Sequence, residues 1–266
     1  MLVHIRTAVT VCFLIGIGVS AAEPKATKVL IVTGDHGHAW KETTPFLKDL
    51  LETAGMSVTV TETPSKDLTA ENLQKYDVLF LNYRDTPKGA PDSRWSDDNK
   101  KAFTDAVHGG KGLVVYHHAS SAFVSGDAFS KEFEKAIAGG WRKQGNHGKR
   151  HEFSVTIRKA DHPITRGFPN EFAHSNDELY QNSVMFPDSV VLATAFSDKK
   201  KDPKNTDRHE PIVWTASYGK GRVVENVLGH DVDAMKKSFG FQALMVRCVE
   251  WAAHGETHSK VPPGLK

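Results

Sequence analysis

Gly110-Lys111-Gly112-Leu113-Val114-Val115-Tyr116-His117-His118-Ala119 decides the fold. A glycine turn feeds a short apolar run that ends on two histidines. Such a run, with no polar alternation, is a strand buried on both faces of a parallel sheet. Open parallel sheets present their chemistry at the carboxyl ends of the strands. The run therefore aims imidazole at the edge where a ligand would sit. Successive strand residues point to opposite faces, so both histidines could serve one site only if the chain turned between them.

Upstream, Lys28 to Thr33 and Asp77 to Asn82 are apolar runs of the same kind, and Ser57 to Thr63 alternates as a further strand. Helical patterns lie between them: Glu42 to Ala54 with Phe46, Leu47, Leu50 and Leu51 on one face, a short helix from Leu68 to Tyr76, and one over 96–108 capped by Ser96. Alternating strands and helices predict a doubly wound α/β fold. Downstream, a helix is expected over 123–137. Residues 141–182 then lose regular patterning, apart from a candidate strand over His151 to Lys159, and a long irregular excursion points to function. Strands resume over 189–195, 211–217 and 222–229, the last two joined by the Tyr218-Gly219-Lys220-Gly221 turn. One long helix over 234–253 closes the chain, with Cys248 as buried filler.

The composition is that of an ordinary globular protein, with 39% hydrophobic and 25% charged residues and a formal charge of +2. Residues 1–22 read as a secretory signal peptide. Arg6 precedes an apolar stretch to Val19, and Ser20-Ala21-Ala22 supplies a cleavage site, so the protein is expected to be secreted or periplasmic. Cys12 leaves with this segment, so the mature chain keeps one cysteine and no internal disulfide. No concentrated basic face suggests nucleic acid, and Lys199-Lys200-Lys201 reads as a solvated loop.

Phosphate-binding loops are absent: Thr33-Gly34-Asp35-His36-Gly37-His38 is not GxGxxG, and no GxxxxGK[ST] occurs. A nucleophile elbow fails as well, because the position after the central strand holds His117-His118-Ala119-Ser120 without flanking glycines. Histidine is the informative residue. There are 14, and His38, His117, His118, His147, His174, His209 and His230 fall at strand ends or in loops, where imidazoles serve as metal ligands or acid–base groups. Asp177-Glu178-Leu179-Tyr180 adds two carboxylates and a phenol, suited to proton transfer beside a carbonyl. An acidic helix N-terminus would give the same pattern. Trp214 is core or a sugar-stacking face, with core favoured.

These pieces together resemble the ThuA-like (trehalose utilisation) family, whose fold is that of the class I glutamine amidotransferases. The likeness is carried by the first loop to His38, Gly110-x-Gly112 through His117, and Gly139-Gly140 leading to His147. It continues through Asp161-His162-Pro163-Ile164-Thr165-x-Gly167, Asp177-Glu178-Leu179-Tyr180, and Pro211 through Gly219-Lys220-Gly221-Arg222-Val223 to Gly229-His230. Two positions depart from it: His118, where a small residue is usual, and Glu225, where an aromatic is common.

The resemblance implies a flavodoxin-like, doubly wound, mostly parallel sheet with helices on both faces and no amidotransferase cysteine. The domain organisation expected is the signal over 1–22, a single domain over 23–258 and a tail over 259–266. It also implies action on a keto-sugar or keto-glycoside, as isomerase, lyase or hydrolase, assisted by a divalent metal such as Zn or Mn. In that scheme Glu178 is the base, Asp177 orients it, Tyr180 donates a proton or touches substrate, and His38 completes the catalytic set. His117, His147 and His230 are the expected metal ligands. The expected partner is a small-molecule carbohydrate, with no nucleic acid and no membrane after signal cleavage; a homo-oligomer is compatible with the sequence. The rivals are a non-catalytic carbohydrate-binding protein on the same fold and a metallohydrolase of ester or amide bonds.

Overall fold

The computed structural model describes residues 26–34, 38–85 and 91–265. The signal segment, Asp35 and His36 lie outside the described residues. Five strands form the parallel half of a nine-stranded sheet: β1 (Lys28–Val32), β2 (Ser57–Thr61), β3 (Val78–Leu81), β4 (Gly112–Tyr116) and, late in the chain, a strand at Gly221–Asn226. Their spatial order, β2-β1-β3-β4 and then Gly221–Asn226, is the flavodoxin-like arrangement. Every residue of β3 and β4 is buried, which is why neither shows alternation.

Helices cover both faces. On one lie α1 (Trp40–Thr53) and the closing helix, where Leu47, Leu51, Phe241 and Leu244 pack with Ile31, Phe80 and Val114. On the other lie α2 (Asp97–His108) and α3 (Ala128–Ala136), where Phe103 and Phe133 pack with Leu79, Leu113 and Val115. Ser96 caps α2 as expected, with Asn99 returning the hydrogen bond in a capping box. Gly112 is required by a close approach: a Cβ there would stand 2.5 Å from the Ala252 carbonyl oxygen.

The sheet continues beyond its parallel half by antiparallel strands β5 (His151–Ile157), β6 (Glu171–Asp177), β7 (Val190–Phe196) and β8 (His209–Tyr218), with Gly221–Asn226 as β9. The full order is β2-β1-β3-β4-β9-β8-β7-β5-β6. The irregular excursion thus contains an edge strand, β6, absent from the sequence expectation. Its buried positions include His174 and Asp177, so the inward face reads as polar. The long closing helix is two helices, α4 (Val232–Lys237) and α5 (Phe239–His254). They break at Ser238, whose hydroxyl caps α5 by accepting from the Phe241 amide. The expected helices over 68–76 and 123–137 are shorter, Ala70–Leu73 and α3. Cys248 is fully buried, and burial pushes its thiol up to about 12. Trp214 is core, 1% exposed.

Candidate functional site

The chain does turn between the two histidines. β4 ends at Tyr116, and His117 takes a left-handed backbone (φ 47°) that starts a 3-10 turn over His117–Ser121. His117 is buried, and its Nδ1–H donates to the Val227 carbonyl at 2.8 Å. A carbonyl can only accept, so the tautomer is fixed and Nε2 is left bare toward the site. Burial lowers the His117 pKa more than neighbouring carboxylates raise it, which keeps the ring neutral. His118 stacks on the His38 ring, centroids 3.9 Å apart.

His230 comes from the loop after β9. That loop is held from two sides: the Tyr116 hydroxyl donates to the Gly229 carbonyl, and Asp177 accepts from the Gly229 amide at 2.7 Å and the His230 amide at 2.9 Å. Gly229 has φ 90°, and a Cβ there would meet the Phe241 ring at 2.8 Å. His230 Nδ1 lies 3.0 Å from Glu178 Oε2 and 3.2 Å from His117 Nε2. The hydrogen bond with Glu178 raises the His230 pKa against the effect of burial. For Glu178, burial alone would raise the carboxyl, but the hydrogen bond with His230 and the surrounding imidazoles outweigh it, and the carboxylate stays ionised.

His38, His117, Glu178 and His230 each offer one ligand atom, all within 4.8 Å of one another. Three imidazole nitrogens and a carboxylate oxygen are a donor set suited to zinc and similar borderline cations. The His117 bond to Val227 is the outer contact that ordinarily orients a ligating imidazole. The Tyr180 hydroxyl donates to His117 Nε2 at 3.1 Å. Burial, then the charges of Glu178 and Asp177, push that phenol well above its ordinary value, so it remains a donor.

Of the expected ligands, His117 and His230 belong to this set and His147 stands outside it. His147 Nε2 is 3.7 Å from Glu178 Oε1 with 39% of the side chain exposed, and its Nδ1–H donates to the Gly148 carbonyl. It faces a cleft of about 680 Å³ lined also by Lys149, Arg150, Asp202, Pro203 and Lys204. His38 and Glu178, expected as catalytic groups, complete the set. Sequence spacing carries no information on which loops converge, so this grouping could not have been read from it. Glu225 is not a member of the donor set: it lies buried on β9, and both carboxyl oxygens lack a hydrogen-bond partner among the described residues.

Asp177 does more than orient one neighbour. It is fully buried and, besides the Gly229 and His230 amides, accepts from the Glu178 amide at 2.8 Å and from His174 Nε2 at 2.7 Å. His174 Nδ1 in turn meets the Ser238 hydroxyl at 2.8 Å. Burial would raise Asp177, yet the hydrogen bonds from His174 and from the Gly229 amide together hold it far below the ordinary carboxylate range. The stabilisation this represents is present above the ordinary carboxylate pKa and is lost as pH falls below it. Asp177→Ala strands four buried donors. It is expected to cost about 3–5 kcal/mol in urea unfolding; a loss under about 1 kcal/mol would show that the network is dispensable. The link from His174 to Ser238 had only one signal in the sequence, the histidine three residues before Asp177.

Fold and site together define a doubly wound α/β protein whose strand-end loops gather histidine and carboxylate at one sheet edge. The ThuA family model, described as trehalose utilisation, matches residues 28–252, and the chain belongs to that family. It is similar to the crystal structure of a ThuA-like protein from Parabacteroides merdae, at 30% identity over 91% of this chain and 95% of that one, with a TM-score of 0.78. A ThuA-like protein from Bacteroides uniformis is similar at 22% identity over 90% and 98% of the two chains, TM-score 0.66. The carbohydrate deacetylase Agd3 shares the fold at 10% identity over 86% of this chain and 33% of its own, TM-score 0.56. No curated protein matches. The family description associates the chain with carbohydrate metabolism.

Proposed function

We propose that the protein is an enzyme that acts on a keto-sugar or keto-glycoside by acid–base chemistry, outside the cytoplasm, with a divalent cation held by His38, His117, Glu178 and His230. The observation that carries this reading is the convergence of those four ligand atoms within 4.8 Å beside a protonated phenol. A keto group acidifies the neighbouring C–H, so a carboxylate base with a proton donor opposite is suitable equipment. Glu178 is ionised and can take that proton. Tyr180 and the Glu178-paired His230 hold protons that can meet the carbonyl oxygen. The cation, when bound, would supply Lewis-acid polarisation of a substrate oxygen. His147 lines the 680 Å³ cleft and lies 3.7 Å from Glu178, which supports a role in contacting the part of the sugar away from the reacting carbon. That volume lies in the usual range for small-molecule sites.

The test is elemental analysis of the purified full-length protein together with a panel of keto-glycosides and of esters and amides. The expected result is about one equivalent of zinc or manganese per chain, and keto-glycoside turnover that a chelator abolishes and the metal restores. Turnover of esters or amides alone would establish a metallohydrolase instead. Sugar affinity indifferent to chelator, with no product, would establish a binding protein.

A further inference from the structure

Arg84 lies three residues past the end of β3, at the same carboxyl edge that delivers His117 from β4. It is half-buried, and its Nε is enclosed without a hydrogen-bond partner. No ion pair or hydrogen bond engages its guanidinium among the described residues. Among the described arginines it is alone in this. Arg94 has a partner. Arg142, Arg150, Arg158 and Arg166 bond to Ser120, Asp231, Thr194 and Glu256, and Arg208, Arg222 and Arg247 bond to Glu210, Trp251 and Ile164. The adjacent Asp85 forms no ion pair with Arg84 among the described residues, and its carboxylate accepts from the Phe123 amide.

The guanidinium lies within charge range of the Tyr180 hydroxyl, which donates to His117. A charge withdrawn from water is ordinarily paired. A planar fork of donors matches two oxygens of a carboxylate or of an enediolate.

We propose that Arg84 is the oxyanion-binding residue of this site, taking a negatively charged oxygen of the bound substrate. That oxygen has two sources of the same chemistry. One is an enediolate: Glu178 takes the proton from the carbon beside the keto group, that bond's electron pair becomes the new C=C bond, and the carbonyl π pair moves onto the oxygen that Arg84 meets. This source rests on the keto-sugar reading. The other is a carboxylate carried by the sugar itself, which does not.

The experiment uses the full-length protein, with Arg84→Gln, Arg84→Lys and the exposed-loop control Lys200→Met. Binding of sulfate and glucuronate is measured by calorimetry, with glucose as the neutral probe. Arg84→Gln is expected to weaken both anions at least tenfold, with glucose unchanged, Lys200→Met like wild type, and Arg84→Lys in between. Anion affinities within twofold of wild type in Arg84→Gln overturn the proposal. Kinetics then separate the sources. An enediolate predicts a kcat about a hundredfold lower, KM little changed and a parallel loss of substrate hydrogen exchange in D2O. A sugar carboxylate predicts a raised KM for keto-uronides and unaltered turnover of neutral keto-sugars. If wild type turns over no keto-sugar, that reading fails while the anion titrations still decide Arg84. If Arg84→Gln does not fold, Arg84→Lys carries the test: weakened anion binding supports the proposal and unchanged binding overturns it.

Discussion

Glu178→Gln is expected to lower turnover of a keto-glycoside by about three orders of magnitude, the middle to upper part of the range for a positioned acid–base group. The amide keeps the shape of the side chain but cannot accept the proton, and it brings no charge to the donor set. Metal affinity should therefore fall as well, by at least the ten- to hundredfold typical of disturbing a contact around a metal. Both effects follow from one carboxylate that lies 3.0 Å from His230 Nδ1, 3.7 Å from His147 Nε2 and 3.8 Å from His117 Nε2. The measurement is steady-state kinetics beside a metal titration on the same preparation. Turnover within a few-fold of wild type would remove Glu178 from the chemistry, whatever the metal titration gave.

The second large effect concerns stability. Burial on β9 pushes the Glu225 carboxyl up to about 8, against the opposing influence of Ser120 and Arg142. Neither oxygen has a hydrogen bond among the described residues, and Arg142 itself leaves one guanidinium nitrogen buried without a partner. A carboxyl whose folded pKa lies above its unfolded value favours folding most fully below the unfolded pKa, and that advantage is lost as pH rises through the folded one. The window here runs from about 4.5 to about 8. Glutamine copies the protonated form at every pH. Glu225→Gln should match wild type near pH 5 and exceed it by roughly 3–4 kcal/mol at pH 8. Urea unfolding of both proteins at the two pH values reads this directly. Equal stabilities at pH 8 would mean that the carboxylate is accommodated in its ionised form.

The parallel half of the sheet was legible because its strands are apolar without interruption, and the runs at Val29, Val78 and Leu113 allow few other readings. The antiparallel half was harder. In β6 the inward residues include His174 and Asp177, which are buried because they satisfy one another and the Gly229–His230 turn. A hydropathy pattern records such residues as surface. The break at Ser238 was hidden for a similar reason, since one serine inside an apolar helical run gives little warning that it caps a new helix. At the site, residue types were readable and their grouping was not. His117 and His230 stood out by their place at strand ends, and Glu178 by the carboxylate and phenol beside it. That His38 and not His147 falls within the donor group depends on how far each loop folds inward, and Arg84 sits in a stretch, Asn82-Tyr83-Arg84-Asp85, whose spacing has no special form.

The left-handed backbone at His117 has a further consequence. A residue with a Cβ is held there at some cost, whereas glycine would occupy the same conformation freely. This position is therefore one where durability and chemistry pull in opposite directions. Selection for heat resistance alone would favour a smaller residue at 117, and the sturdier protein it produced would have lost the imidazole around which the other donors are arranged. The tension is local to a single peptide unit at the tip of β4, while the strand behind it and the helices over it are free of the conflict.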